Sequence, residues 1–133
     1  MRRLTLTFCL LAAPACGKHT PTSPTVPLNQ QFTLAPGAVA RIEATTLAVQ
    51  FIGVGNDSRC PSNARCIWAG DAMVHVRVID AGATTDYELH TGGREPASVP
   101  HRDVRITLVQ LEPHFFTGPI PPGDYRATLQ ATR

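Results

Sequence analysis

The sequence predicts an all-β fold: a single antiparallel β-sandwich, immunoglobulin-like, or a small barrel, with about seven to eight strands. Three observations support this prediction. Apolar and polar residues alternate in several short segments, as they do in strands with one buried face. Proline and glycine stand between those segments, where turns are expected. No segment has the periodicity of an amphipathic helix.

Seven segments carry the alternation. They are residues 31–34, 39–43, 47–54, 74–79, 86–90, 104–108 and 124–130. The clearest is 74–79, where three valines alternate with His75, Arg77 and Ile79. The approach to the last segment, Pro121-Pro122-Gly123-Asp124-Tyr125, resembles the approach to the final strand in many bacterial immunoglobulin-like sandwiches. Because each segment has one polar face, we expect one core and a solvated exterior.

Length and composition predict one globular domain, at residues 30–133. The chain has 133 residues, of which 43% are hydrophobic and 17% charged. Its net charge of +2 comes from Arg2 and Arg3, which lie in a segment that we expect to be removed. From Cys16 onward, ten basic residues face ten acidic ones. A nearly neutral domain has little attraction for phosphate backbones, so the charge argues against nucleic-acid binding.

Residues 1–15 have the parts of an export signal peptide. Arg2 and Arg3 form the positive n-region, residues 4–12 form the apolar h-region, and Ala13-Pro14-Ala15 is a small-residue cleavage site. The apolar run is too short to span a bilayer as a helix. The sequence therefore predicts an exported protein.

The junction Ala15-Cys16-Gly17 resembles the lipobox of bacterial lipoproteins, although Ala13 stands where leucine is usual. The resemblance implies lipidation of Cys16 and a membrane anchor on a periplasmic or outer-membrane lipoprotein. The alternative is a secreted protein cleaved by ordinary signal peptidase. Residues 16–29 are rich in proline and threonine, a composition typical of an extended spacer that follows the lipidation site.

Cys60 and Cys66 are expected to form a disulfide. Of the four cysteines, Cys9 leaves with the signal peptide and Cys16 is lipidated or terminal, which leaves this pair in an oxidising compartment. The alternative is a zinc site with His75 or His90, but the spacing of the cysteines and the lack of a second paired motif argue against it. We therefore expect neither a metal nor a cofactor.

The residues around the cysteines suggest turn chemistry. Asp57 and Ser58 are expected to accept or donate hydrogen bonds to the turn backbone. Gly70 is expected to adopt a conformation closed to other residues. Trp68 is expected to pack over the disulfide and cap the core. Phe115 and Phe116 are expected to fold back over the open end of the sandwich.

Two segments carry a family resemblance: Asp57-Ser58-Arg59-Cys60-Pro61 and Cys66-Ile67-Trp68-Ala69-Gly70. They resemble a family of uncharacterised bacterial exported proteins, many of them lipoprotein-like. The later segments Glu88-Leu89-His90-Thr91-Gly92 and Tyr125-Arg126-Ala127-Thr128-Leu129 are also similar to that family. The resemblance implies export and implies no activity.

No catalytic motif is present. The sequence lacks a nucleophile elbow, a zinc-protease helix, a phosphate-binding loop and a dinucleotide fingerprint. A Ser58, His75 and Asp71 set can be assembled only by selection, and the histidines are expected on the surface. We therefore expect a non-enzyme.

The sequence favours an envelope-anchored binding or structural module with an unidentified envelope partner or ligand. Its candidate interaction residues are Arg59, Arg65, Trp68, Phe115 and Phe116, because arginine and aromatic side chains are frequent anchors of interfaces. The alternative is a protease inhibitor that presents Arg59 or Arg65 from the Cys60–Cys66 loop, whose rigidity would lower the cost of binding.

Overall fold

Nine strands are found in the computed structural model, which describes residues 22–93 and 95–133. They are β1 (Thr25–Val26), β2 (Gln31–Leu34), β3 (Val39–Ile42), β4 (Leu47–Asp57), β5 (Ala72–Asp80), β6 (Ala83–His90), β7 (Ser98–His101), β8 (Val104–Glu112) and β9 (Arg126–Thr132). A 3₁₀ turn, Pro122–Asp124, precedes β9. Within the described residues, no helix is long and apolar enough to cross a membrane.

The strands form two sheets, with orders β1-β3-β4-β5-β6 and β2-β9-β8-β7. Neighbouring strands are antiparallel, except that β1 runs parallel to β3. The two sheets do not close on each other. The all-β prediction and the sandwich are therefore confirmed, whereas the barrel alternative is wrong.

All seven segments with alternating polarity overlap strands, and two strands escaped the sequence prediction. β1 has two residues and lies between prolines, so that no alternation can develop. β7 contains Pro100, which has no amide hydrogen to donate and is tolerated there because β7 is the edge of its sheet. β4 and β8 also extend further than predicted, to Asp57 and Glu112.

The domain begins before residue 30, so the predicted boundary is wrong. β1 pairs with β3 through Thr25 and Arg41, and the amide of Arg41 donates to the carbonyl of Pro24 at 2.8 Å. Val26 and Leu28 pack against the core. Apolar side chains near the end of the spacer therefore belong to the sandwich. The predicted signal peptide and the lipidation site at Cys16 lie outside the described residues.

The core lies between the sheets and follows the alternation along each strand. In β5 every second residue is buried, and Val74, Val76 and Val78 have no exposed surface. Phe51 of β4 lies opposite Val76 and is also fully buried. Burial of each such side chain contributes about 1.5–3 kcal/mol relative to exposure. The apolar faces of the strands thereby fix the register of both sheets.

A buried aspartate closes one end of the sandwich. Asp80, at the end of β5, is 3% exposed and accepts a 2.5 Å hydrogen bond from the Thr46 hydroxyl. Arg102 Nε lies 2.8 Å from Asp80 Oδ2, and His101 Nε2 lies 3.7 Å from the same oxygen. We call Thr46, Asp80, His101 and Arg102 the Asp80 cluster. It connects the β7–β8 turn of one sheet to β5 of the other.

Candidate functional site

The cysteine loop, residues 58–71, leaves the other end of the sandwich between β4 and β5. Asp57 and Ala72 are paired at its base, and the amide of Ser58 donates to the carbonyl of Asp71 at 2.7 Å. The Ser58 hydroxyl bonds the carbonyl and the amide of Asp71, each at 3.0 Å. Cys60 and Cys66 form the expected disulfide, with their Cα atoms 5.9 Å apart. The loop is thus closed by backbone hydrogen bonds at its base and by the disulfide further out.

Gly70 allows the two arms of the loop to cross. Its φ is +71°, and a Cβ atom at this position would lie 1.8 Å from the carbonyl oxygen of Ser58. Both the backbone conformation and the space therefore exclude other residues. The expectation that Gly70 adopts a restricted conformation is confirmed.

Arg59 is the centre of the base of the loop. Its Nε and Nη2 donate to the two carboxylate oxygens of Asp57 at 2.8 and 2.6 Å. Its Nη1 donates to the carbonyls of Leu111 and Pro113, both at 3.0 Å. The Tyr125 hydroxyl donates to Asp57 Oδ2 at 3.0 Å. We call these residues, together with Phe116, the Arg59 cluster.

The Arg59 cluster is largely shielded from solvent and connects the two sheets. The side chains of Arg59 and Asp57 are 12% and 10% exposed. Burial raises the pKa of Asp57, but hydrogen bonds from Arg59 and Tyr125 outweigh it and hold that pKa below its usual value. Burial and the hydrogen bond to Asp57 raise the pKa of Tyr125. Because Asp57 ends β4 and Leu111 lies in β8, the hydrogen bond from Arg59 to the Leu111 carbonyl joins the two sheets.

The phenylalanine loop, residues 113–121, lies beside the cysteine loop and is bonded to it. The amide of Ser62 donates to the carbonyl of Phe116 at 2.8 Å, and the Asn63 side chain donates to the carbonyl of Thr117 at 3.4 Å. The Phe116 ring covers the Arg59 guanidinium, with 5.2 Å from Cζ to the ring centroid. The two loops therefore support each other.

Three large apolar side chains extend from these two loops into solvent. The exposed fractions are 92% for Ile67, 72% for Trp68 and 80% for Phe115. The expectation that Trp68 caps the core is wrong, because the core is already closed beneath the loop by the Arg59 cluster. The expectation for the two phenylalanines holds for Phe116 alone. We call Ile67, Trp68 and Phe115 the apolar tip.

An open groove of about 1330 Å³ runs beside the apolar tip. Trp68 and Phe115 lie along it, and Asp71, His90 and Gly92 contribute polar groups to its wall. Asp71 accepts hydrogen bonds from the Gly92 amide at 2.6 Å and from the Thr91 hydroxyl at 3.2 Å. The groove therefore combines apolar rings with an ordered polar wall.

His90 is held between two carboxylates in that wall. Its Nδ1 lies 2.5 Å from Asp71 Oδ2, and its Nε2 lies 3.0 Å from Glu88 Oε1. The hydrogen bond to Asp71 is the largest cause that raises the pKa of His90, against the effect of burial. Burial raises the pKa of Asp71, but the hydrogen bonds from His90 and Gly92 outweigh it and hold that pKa below its usual value. The arrangement favours the imidazolium, which donates from both nitrogens.

The structure does not assemble the candidate sites for chemistry. Asp71 contacts His90, whereas His75 lies 3.8 Å from Glu88, so Ser58, His75 and Asp71 form no relay. The disulfide occupies both cysteines that a zinc site would need. The expectation of surface histidines is wrong for His90, which is 9% exposed, and for the His101 side chain, which is 11% exposed.

Sequence reasoning missed the roles of Arg59 and its partners. Arg59 is a predicted interaction residue, but its guanidinium is engaged by Asp57 and by two carbonyls, whereas Arg65 is exposed on the loop. One local signal was available. The Asp57 side chain accepts from the Arg59 amide at 3.1 Å, which is the turn contact expected of aspartate, and this contact places Arg59 beside that carboxylate. Tyr125 and the carbonyls of β8 and the phenylalanine loop are distant in sequence and left no such signal.

Comparison of the chain with protein-family models, curated proteins and solved structures yields no match. The resemblance to bacterial exported proteins therefore stays a prediction from the sequence.

Proposed function

We propose that this protein is a non-enzymatic binding module of the cell envelope. A lipid on Cys16 anchors it, and the apolar tip binds its partner. The observation that carries the proposal is the exposure of Ile67, Trp68 and Phe115 on loops that are firmly held. Large apolar side chains grouped at one place on a surface are typical of interaction sites.

The support beneath the tip favours binding. The disulfide, the Ser62–Phe116 hydrogen bond and the Arg59 cluster restrict the loops before any partner arrives. A surface that is already ordered loses less conformational entropy on association. The Arg59 cluster therefore serves the tip indirectly, by holding its two loops together.

The groove wall supports binding better than catalysis. Both ring nitrogens of His90 face carboxylates, so the imidazole is engaged by Asp71 and Glu88. The Ser58 hydroxyl is engaged by the backbone of Asp71. A general base needs a free nitrogen within reach of the proton it takes. We therefore assign His90 and Asp71 to ordering the wall.

The proposal is tested by cross-linking in intact cells. A photoreactive amino acid replaces Phe115, and a matched control replaces Ile52, which is 41% exposed on β4 away from the tip loops. We expect a discrete adduct from position 115 and a much weaker one from position 52. Equal labelling at both positions, or no adduct at position 115, contradicts the proposed function.

A second candidate, protease inhibition, is supported by the exposure of Arg65 on the disulfide-closed loop. Arg59 does not serve this function, because its side chain is engaged with Asp57 and two carbonyls. The test is incubation with trypsin-like proteases. Inhibition that disappears in Arg65→Ala supports this candidate, and cleavage after Arg65 without inhibition excludes it.

A further inference from the structure

The side chains of the apolar tip have the chemistry of a membrane interface. A tryptophan ring with its indole N–H is favoured at the boundary between hydrocarbon and headgroups. Trp68 and Phe115 line the same groove, and Ile67 directly precedes Trp68 in the cysteine loop and is exposed. Shallow insertion of a few such side chains adds affinity in proportion to the apolar area that is buried.

The cysteine loop exposes one cationic side chain, Arg65. The cysteine loop contains Arg59, Arg65 and Asp71, and the phenylalanine loop contains His114 and no carboxylate. Arg59 is neutralised by Asp57, and Arg65 is exposed. An exposed arginine on the loop that also carries Ile67 and Trp68 can contact anionic lipid headgroups.

The direction of β1 shows from which end the N-terminal chain enters the domain. β3 runs away from the apolar tip, since Val39 pairs with Gln50 and Arg41 pairs with Ala48, whereas the cysteine loop follows Asp57. β1 is parallel to β3. The chain that precedes Thr25 therefore approaches from the side of the tip.

The length of chain before β1 limits the distance to an anchor. Cys16 stands nine residues before Thr25, and nine extended residues span at most about 30 Å. Thr25 pairs with Arg41, and Arg41 pairs with Ala48 of β4, so Thr25 lies at the level of Ala48. Ala48 and Asp57 are nine residues apart in β4, which corresponds to at most about 30 Å along the strand. A chain extended towards the tip therefore reaches the level at which the cysteine loop begins.

We propose that the partner of the apolar tip is the anionic bilayer in which Cys16 is anchored. Ile67, Trp68 and Phe115 insert at the headgroup level, and Arg65 contacts anionic headgroups. This proposal rests on the proposed function, because it takes the anchor on Cys16 from it. It adds the identity of the partner and the orientation of the domain, with the disulfide end towards the membrane.

The test uses Trp68, which is the single tryptophan of the chain and therefore an unambiguous fluorescent reporter. The mature lipoprotein is reconstituted in vesicles of phosphatidylethanolamine and phosphatidylglycerol, some with nitroxide-labelled lipids. We expect blue-shifted Trp68 emission, quenching by shallow nitroxides, and protection from aqueous iodide. Solvent-like emission with full access to iodide overturns the proposal.

Variants separate insertion from anchoring. The double variant Ile67→Ser/Phe115→Ser should remain on the vesicles through its lipid but lose most of the nitroxide quenching. Arg65→Glu should reduce quenching, more at low than at high salt. Ile52→Ser is the matched control and should behave as the unchanged protein. Circular dichroism verifies that each variant keeps the β fold.

The outcomes distinguish this inference from the proposed function. Cross-links from position 115 to lipid support both. Cross-links from position 115 to one envelope protein, with unquenched Trp68, support the binding module and overturn membrane docking. A mature chain without lipid on Cys16 removes the anchor and overturns the proposed orientation. Absence of any adduct at position 115 contradicts the proposed function itself.

Discussion

Each end of the sandwich has an aspartate at the centre of a polar cluster, buried Asp80 at one end and partly buried Asp57 at the other, but the two clusters differ in how fully their polar groups are hydrogen-bonded. In the Arg59 cluster, both oxygens of Asp57 accept hydrogen bonds, and all three guanidinium nitrogens donate. In the Asp80 cluster, Asp80 Oδ2 and His101 Nε2 make no hydrogen bond within the described residues. Arg102 is 71% exposed, whereas Arg59 is 12% exposed.

The difference follows from what each end supports. The Asp80 cluster closes short turns that need little bracing. The Arg59 cluster lies under two longer loops that hold large apolar side chains in solvent, and an ordered base reduces the entropy that these loops retain. The end of the sandwich whose polar cluster is more completely hydrogen-bonded is thus the end that exposes the large apolar side chains.

Arg59→Ala should have the largest effect on stability. It removes the guanidinium that neutralises Asp57 and donates to two carbonyls, and leaves Asp57 with hydrogen bonds from Tyr125 and from the amide of residue 59. Loss of one partner of a fully buried ion pair costs about 3–5 kcal/mol, which is the upper limit for this partly buried pair. Denaturant unfolding followed by circular dichroism measures the free energy of unfolding.

The matched control for this prediction is Arg77→Ala. Arg77 makes the same two-pronged contact with Asp86, at 2.6 and 2.8 Å, but both side chains are well exposed. Exposed ion pairs contribute little, so this loss should be much smaller. Similar losses in the two variants would show that burial of the Arg59 cluster is unimportant.

Replacement of both cysteines by serine should have the next largest effect. The disulfide closes a loop with a sequence separation of six residues, and the chain-entropy model gives roughly 2 kcal/mol for so small a loop. The free energy of unfolding of the double variant, compared with that of the oxidised protein, measures this contribution. An unchanged value would mean that the backbone closure alone holds the loop.

Asp80→Asn should destabilise the protein less than Arg59→Ala. Asparagine can still accept from Thr46, and the lost ion pair is with the exposed Arg102. The hydrogen bond from Thr46 is the largest cause that lowers the pKa of Asp80. The free energies of unfolding of the two variants are compared under identical conditions. A larger loss in Asp80→Asn than in Arg59→Ala would contradict the proposed difference between the two ends.

The smallest effect concerns pH. The pKa of His90 is raised above 6.5, so its stabilising contribution is complete below pH 6.5 and is lost as the pH rises through the folded-state pKa. The free energy of unfolding should therefore decline above pH 6.5, and His90→Gln should remove this decline. His75→Gln leaves the contact between His90 and Asp71 intact and should retain it. If the free energy of unfolding of His90→Gln still declines above pH 6.5, another titratable group causes the decline.

The sequence predicted the sheets better than it predicted the tip. Alternation marks a strand because one face is buried, and this rule depends only on near neighbours. The position of Arg59 depends on Tyr125 and on the carbonyl of Leu111, which the fold brings together over long sequence distances. Because the Arg59 cluster closes this end of the core, the Trp68 ring does not cover the core and is exposed instead. Its exposure is thus a consequence of partners that no local pattern reveals.

The tight crossing at Gly70 also limits which sequences can form this loop. A Cβ atom there would overlap the Ser58 carbonyl, so no other residue fits this path of the backbone. Gly70 follows Cys66 by four residues. A chain with two cysteines at this spacing but without glycine four residues further on must close its loop along a different route. The glycine is therefore as much a part of this loop conformation as the disulfide is.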